Sequence, residues 1–251
     1  KLARGGRAGE YIPNLVSNCM VYGCKTGIET NRAIVLNIVG CQVYQTDGYG
    51  FYINNTSNSV CITGCRTFQI KDHAVVVENS HEINISSNIF CWSTGHGIVL
   101  DHVIWGTISA NNIIDVGSVN LYDPAEDSMK VSMVDENFLK APTPEDTYDL
   151  YNGIHIVNGT KGISVSSNAI FNWTVVPPMK NGIIEASDCS DNIITGNIIN
   201  WCKTGISSNG KNTLKEGNIV KADEPYYGKP SDRFQFIHTG LLEKYIQEVM
   251  N

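Results

Sequence analysis

A short sequence phrase recurs eight times along this chain and limits the folds that it can adopt. The phrase reads apolar-x-apolar-x-x-(Asn or Cys)-x-apolar, and its Asn or Cys residue is called the anchor below. The anchors are Cys19, Cys41, Cys65, Asn88, Asn112, Asn168, Asn197 and Asn218. The steps between them are 22, 24, 23, 24, 56, 29 and 21 residues. Repeats of this length predict a solenoid in which each repeat contacts only its neighbours.

A second phrase, small-apolar-x-apolar, follows seven of the eight anchors, at eight or nine residues except after Asn112 and Asn168, where the spacing is longer. Its members begin at Gly27, Gly50, Ala74, Gly97, Gly153, Gly182 and Gly205. Two short strands of period 2 in each unit are typical of coils of parallel strands, whereas helical repeats need a period of 3.6. The sequence therefore predicts an all-β protein, a right-handed parallel β-helix of about eight coils over residues 13–222.

The composition supports stacked turns. The chain contains 26 asparagines, and an inward Asn at a turn can bond its neighbours in the coils above and below, which lie about 4.8 Å away. Cys19, Cys41 and Cys65 occupy the same position as compact apolar residues. We interpret them as a core stack and not as a disulfide framework. No second cysteine pair matches Cys61 and Cys65, so a zinc site is not expected.

The two ends of the predicted single domain, 1–251, differ. Apolar residues at helical spacing between Gly240 and Met250 predict a C-terminal helix within 231–251 that covers the last coil. Residues 1–12 resemble a loop, and no N-terminal cap is visible, so we expect that cap to be missing.

Charge and hydropathy exclude several classes of function. The net charge of −7 argues against a nucleic-acid partner, which needs a basic stripe. No apolar run approaches the roughly 18 residues of a membrane span. No targeting signal is visible; a secreted or periplasmic monomer is the expectation for a protein that acts on polysaccharides.

The repeat is interrupted twice at one turn. An acidic insertion spans 115–151, and the next coil is enlarged over 172–181. Long loops beside a regular framework are usually binding elements. The insertion carries Tyr122, and Trp173 lies in the enlarged coil; with Trp92, these aromatic residues are candidates for sugar stacking.

The candidate site lies in the turns of the coils that precede these two enlarged loops. Alignment on the small residue of the second phrase gives one column, and it consists of Tyr49, His73, His96, Asn152 and Asn181. Asp72 belongs to a neighbouring column, and Asp47 and Lys71 to the one beyond. A second column pairs Glu78 and Asp101, with His81 and His102 nearby. The alternative interpretation is that the polar residues of both columns belong to solvated turns that have no function.

The order Thr46-Asp47-Gly48, Asp72-His73, Gly95-His96-Gly97 resembles the polygalacturonase family of pectin-degrading glycoside hydrolases. His73 replaces one of that family's paired aspartates, and Gly153-Ile154-His155 stands where its R-x-K motif belongs. Residues 13–222 as a whole are similar to the wider pectin-lyase-like superfamily, which includes hydrolases, lyases, epimerases and tailspikes. The resemblance implies a right-handed β-helix with a carbohydrate partner, and the fold does not choose among these activities.

We predict a carbohydrate-active enzyme that cleaves glycosidic bonds in a groove along the side of the coils. Hydrolysis needs two carboxyl groups; Asp47 and Asp72 are the candidates, assisted by His73 and His96, with Asp115 in reserve. No cofactor is required, although calcium could bind Asp47, Asp72 and Asp115.

Two alternatives stay open. One is a uronate lyase or epimerase, in which Tyr49 or a histidine handles the proton and Lys71 or Lys130 neutralises the carboxylate. The other is a non-catalytic, tailspike-like stem, which should be trimeric.

Overall fold

The described part of the chain is built of β-strands. The computed structural model describes residues 2–3, 14–117, 151–172, 179–200 and 202–221, and those ranges contain no helix. No segment in them could therefore cross a membrane as a helix. The predicted helical cap over 231–251 and most of the insertion lie outside the described residues.

Within the described ranges, twenty-two strands follow one another. They are β1 (Leu2–Ala3), β2 (Asn14–Ser17), β3 (Met20–Tyr22), β4 (Ile28–Asn31), β5 (Ile34–Val39), β6 (Gln42–Tyr44), β7 (Phe51–Asn54), β8 (Asn58–Thr63), β9 (Arg66–Ile70), β10 (Val75–Ser86) and β11 (Ile89–Ser93). The remaining strands are β12 (Ile98–Ser109), β13 (Asn112–Val116), β14 (Asn152–Val157), β15 (Lys161–Ser166), β16 (Ala169–Phe171), β17 (Asn181–Glu185), β18 (Ile193–Thr195), β19 (Ile198–Asn200), β20 (Thr204–Ser208), β21 (Leu214–Glu216) and β22 (Ile219–Lys221).

Each coil contributes one strand segment to each of three parallel rows. The first row is β1-β4-β7-β10-β12-β14-β17-β20. The second row is β2-β5-β8-β10-β12-β15-β18-β21, because the 12-residue strands β10 and β12 pass through both rows. The third row is β3-β6-β9-β11-β13-β16-β19-β22. All neighbours within a row are parallel, as in β10 with β12 and β11 with β13.

The predicted parallel solenoid is thus confirmed, with about seven turns instead of eight. The difference arises because the eight anchor residues enclose only seven complete repeat units.

Alternation along the strands builds the core. In β7, Phe51 and Ile53 are fully buried while Tyr52 between them lies on the outer side. The register places Phe51 beside Val75 and Ile53 beside Val77 in the next coil. Equivalent positions therefore stack into continuous apolar ladders that remove side chains from water, which is the main stabilising contribution of such a core.

An asparagine ladder closes the turn between the second and third rows. The Nδ2 of Asn88 donates to Asn111 Oδ1 (2.9 Å) and to the Ile62 carbonyl (2.9 Å), and the same pattern continues to Asn168. Its members are Asn88, Asn111, Asn168, Asn197 and Asn218. The predicted anchor Asn112 was wrong by one residue, because Asn111 turns inward and Asn112 is exposed on β13.

Cysteines continue this ladder toward the N-terminus. The backbone N–H of Cys65 donates to Asn88 Oδ1 (2.8 Å), and that of Cys41 contacts the Cys65 sulfur (3.3 Å). Both are buried free thiols, and burial raises the pKa of Cys65 to about 11. All eight cysteines lie in the described residues and none forms a disulfide, which confirms the core-stack interpretation for Cys41 and Cys65; Cys19 is exposed.

Candidate functional site

The turn between the third and first rows, called the site turn below, aligns the predicted column. The N–H of Gly50 donates to the His73 carbonyl and that of Ala74 to the His96 carbonyl, both at 3.0 Å. The N–H of Gly97 bonds to the Asn152 carbonyl at 3.1 Å. The alignment drawn from the small residues is therefore confirmed, because these bonds set one column residue beside the next.

Five rings gather on this turn, and we call them the ring cluster: Tyr49, His73, His96, Tyr151 and His155. Tyr49 stacks on His73 with ring centres 5.7 Å apart and an interplanar angle of 17°. His73 lies 4.7 Å from His96, and His96 lies 4.6 Å from His155. Tyr151 meets His96 edge-on at 5.3 Å. Rings from four levels of the solenoid thus form one contiguous surface.

Backbone amides fix the tautomers of two histidines. The N–H of His96 donates to His73 Nδ1 (2.9 Å), and the N–H of Asn152 donates to His96 Nδ1 (2.8 Å). A backbone N–H can only donate, so each Nδ1 is an acceptor and each proton resides on Nε2. The Nε2–H groups of His73 and His96 are consequently the hydrogen-bond donors of these two rings, and His96 is buried.

Burial keeps the imidazoles neutral. It lowers the pKa of His96 to about 3, with His73 and His155 adding to the effect. Burial likewise lowers the pKa of His73, against an opposing contribution from Asp72, and that of His155. None of the three histidines can then supply an imidazolium acid near neutral pH.

The glycines of the Gly95-His96-Gly97 triplet have packing roles. A Cβ on Gly95 would lie 2.1 Å from His73 Nδ1, so the ring of His73 occupies the space that a side chain would need. A Cβ on Gly97 would lie 2.5 Å from the Gly153 carbonyl oxygen, where the next coil approaches closely. The triplet is accounted for by ring stacking and coil packing.

Two carboxylates border the ring cluster. Asp72 Oδ1 lies 3.2 Å from His73 Nδ1, and Glu78 accepts a hydrogen bond from the Tyr52 hydroxyl at 2.6 Å. Burial, then Asp72 and Glu78, raise the pKa of Tyr49, whose ring lies 5.1 Å from that of Tyr52. Both carboxylates therefore act on the same phenol, which stays protonated.

The floor of this region is apolar. The outward positions of the first row run from Tyr52 through Val76 and Val99 to His155. Val76 and Val99 are buried although they face away from the core, so these apolar side chains are covered on the outer side of the first row.

Asp47 and Lys71 lie at the exposed edge of the site turn. Lys71 Nζ contacts Asp47 Oδ1 at 2.6 Å, and the two side chains are 36% and 66% exposed. Thr94 follows in the next coil, where its hydroxyl donates to the Lys71 carbonyl. The predicted column of Asp47 and Lys71 is thus present, and Lys71 binds the Asp47 carboxylate.

Asp115 and Trp92 belong to a different column. Trp92 Nε1–H donates to Asp115 Oδ2 at 3.3 Å and its ring lies 4.5 Å from Phe68, in the third row. Both residues have left-handed backbone angles, as do Gln69 and Gln45, one and two coils before Trp92. This bulge turns Asp115 toward Trp92 and not toward the ring cluster.

Asn152 and Asn181 extend the predicted column as an amide pair. Asn181 Nδ2 donates to Asn152 Oδ1 at 2.7 Å, and both side chains are buried. Tyr122, Lys130 and Trp173 lie outside the described residues.

The second predicted column leads to a cleft at the bend between the first and second rows. Asp101 Oδ2 accepts from Asn158 Nδ2 at 2.9 Å, and Asp101 Oδ1 contacts His102 Nδ1. His81 lies beside Ile104 in the strand register. The cleft has a volume of about 350 Å³ and is lined by His102, Ile104, Asn158, Gly159, Lys161 and Asp188.

The predicted calcium ligands are not gathered in one place, since Asp115 lies in the third row. Across the described ranges, no three His, Cys, Asp or Glu side chains are arranged to hold a metal ion.

Sequence reasoning missed Tyr52 and His155. They lie two residues after the small residue of the second phrase, on the outward side of the first row. Continuing the column alignment two residues into each strand would have found both.

The fold and site define a parallel β-solenoid protein with a lateral cluster of tyrosine and histidine rings. Comparison with protein-family models, with curated proteins and with solved structures finds no match.

Proposed function

We propose that this protein is a carbohydrate-active enzyme that cleaves glycosidic bonds at the ring cluster. The observation that carries the proposal is the contiguous surface of Tyr49, His73, His96 and His155, bordered by Asp72 and Glu78. The proposal includes right-handed winding, membership in the pectin-lyase-like superfamily, a C-terminal helix within 231–251 and a secreted or periplasmic location.

The chemistry of the cluster suits a sugar. Flat ring faces and the apolar floor pack against the C–H faces of a pyranose. The Nε2–H groups of His73 and His96 donate to hydroxyl or ring oxygens, while carboxylates accept from hydroxyls. A neutral ring cluster also avoids the desolvation cost of burying a charge beneath the ligand.

Asp72 and Glu78 are the carboxyl groups that we assign to hydrolysis. One of them, as the acid, gives its proton to the glycosidic oxygen as the C–O bond breaks. The other, as a carboxylate, takes a proton from the water that attacks the anomeric carbon. Asp47, half of the pair expected from sequence, is the weaker candidate because Lys71 already binds it.

Asp72→Asn and Glu78→Gln should each lower cleavage about 10²- to 10⁴-fold, because each removes a group that transfers a proton. The measurement is the release of reducing ends from a panel of pectins, alginates, fructans and host glycans. Asp47→Asn is the matched control and should stay within about threefold of the parent, since an exposed ion pair contributes little.

Full activity in both Asp72→Asn and Glu78→Gln would contradict the assignment. Absence of product from every polymer, together with a trimer in sedimentation, would contradict the enzyme and favour the stem.

A uronate lyase is the second candidate, favoured by the stacking of Tyr49 on a neutral histidine. In β-elimination a base removes the C5 proton of the uronate, the C4–O bond breaks to leave a C4–C5 double bond, and the protonated phenol of Tyr49 gives its proton to the leaving oxygen. Tyr49→Phe separates the two reactions: it should abolish ultraviolet-absorbing product in a lyase and leave hydrolysis largely intact.

A further inference from the structure

A solvent-facing indole lies next to the cleft at the bend of β12. Trp105 is 61% exposed, which is unusual for the largest side chain in a chain of stacked coils. Its φ is +58°, a conformation that bulky residues rarely adopt. The backbone is therefore held in a way that turns this side chain outward.

The indole is seated on a glycine of the neighbouring coil. A Cβ on Gly162 would lie 2.6 Å from Trp105 Cδ1 and 3.3 Å from Nε1, so the pyrrole part of the ring packs against bare backbone. One edge of the indole is fixed by this contact while most of its surface faces solvent. A fixed, exposed aromatic plane needs no further ordering when a ligand ring stacks on it.

Oriented polar groups lie beside this plane. Asp101 holds both Asn158 and His102 through its two oxygens. His102, Asn158, Lys161 and Asp188 line the cleft, and Ile104, which precedes Trp105, lines it as well. The cleft therefore combines donors, acceptors and a neighbouring flat ring.

We propose that this cleft, with Trp105 as its stacking platform, is a second sugar-binding site that takes an uncharged pyranose. The inference rests on the proposed function in so far as the ligand is a carbohydrate. The indole of Trp105 lies further along β12 than the ring cluster, since Trp105 follows Val99 by six residues, whereas Asp101 at the near side of the cleft adjoins Glu78 in the strand register.

The charge of the cleft sets the class of sugar. Among the described residues of the cleft, Asp188 and Lys161 belong to the lining, and Asp101 adds a second carboxylate that holds the lining residues Asn158 and His102. Carboxylates accept readily from sugar hydroxyls but repel a uronate, so the net negative charge selects against acidic sugars.

The test uses the full chain with cellohexaose, xylohexaose and maltohexaose as uncharged probes and hexagalacturonate as the charged one. The indole N–H resonances are followed by NMR, and Trp105→Phe assigns the signal of Trp105. We expect at least one uncharged probe to shift that signal at millimolar concentration. By isothermal titration calorimetry with the same probe, Trp105→Ala should weaken binding about tenfold, and Trp105→Phe should weaken it less.

Trp92→Phe is the matched control, since that indole lies in the third row, and it should leave the Trp105 response unchanged. If no uncharged probe moves the Trp105 signal, or if only hexagalacturonate moves it, the inference is overturned. If the parent protein cleaves a glycan and Asp72→Asn does not, the proposed enzyme stands even when no probe binds at Trp105. Failure of this second site can therefore be distinguished from failure of the proposed function.

Discussion

At the scale of single residues, the site turn is governed by the protonation of buried rings. The Nδ1 atoms of His73 and His96 each accept a backbone N–H from the following coil. Protonation of either ring would place an N–H against another N–H and leave a buried amide without its acceptor. The pKa values of these histidines are therefore lowered in part because protonation would break a hydrogen bond between stacked coils.

We expect the free energy of unfolding to decrease as the pH falls from about 6.5 toward 3. The unfolded chain binds protons on these histidines over this window while the folded chain does not, so stability is present above the unfolded pKa and is lost on acidification. His96→Asn keeps an acceptor near Nδ1 without a titrating ring. Its loss of stability between pH 7 and pH 5 should be smaller than that of the parent by about 2 kcal/mol.

Urea denaturation at the two pH values measures this difference. Equal losses in the parent and in His96→Asn would show that His96 does not control the acid response.

At the scale of elements, the asparagine ladder joins the coils through side chains. The Oδ1 of Asn111 accepts from the N–H and Nδ2 of Asn88, and its own Nδ2 donates to the Ile85 carbonyl and to Asn168. Every polar atom of the side chain is paired across three levels. Adjacent Asn112 is exposed and takes no part in the ladder.

Asn111→Ala should therefore lower the free energy of unfolding by about 3–5 kcal/mol, because it leaves several buried groups unpaired at about 1–3 kcal/mol each. Asn112→Ala, one residue away, should change it by less than about 0.5 kcal/mol. Thermal or urea unfolding of the two variants provides the comparison. Similar losses in both would contradict the ladder register.

The ladder also shows which parts of the fold the sequence could predict. The period-2 strands and recurring anchors define the parallel coils. Strict use of the anchor pattern would have chosen Asn111, because the apolar Ile108 lies three residues before it whereas Ser109 lies three residues before Asn112. In the fold, the left-handed φ of Ala110 precedes the inward turn of Asn111. In the site, the small residues fixed the register of Tyr49, His73 and His96. The column alignment did not extend to Asp115, whose side chain lies in the third row and accepts a hydrogen bond from Trp92 Nε1–H.

At the scale of the whole molecule, stability is distributed along one axis. Strands β10 and β12 pair with neighbours in two rows, whereas strands near the ends, such as β3 and β22, are largely exposed. In such an array each coil is stabilised by its own contacts and by those with the adjacent coils.

Amide hydrogen exchange should accordingly be slowest in β10 and β12 and faster toward both ends, with exchange rates in β3 and β22 at least about 10²-fold higher. Mass spectrometry of peptic fragments reports these rates. Uniform protection from β3 to β22 would instead indicate a single cooperative unit.

The change of ladder residue between Cys65 and Asn88 does not by itself keep the coils in order. Near-identical coils invite a folding error in which one coil is skipped and the next one takes its place. Such an error would set Asn88 directly on Cys41, whose backbone N–H could donate to the Asn88 oxygen just as that of Cys65 does. The order of the coils must therefore depend on residues that differ from one coil to the next, such as the stacked rings of Tyr49, His73 and His96.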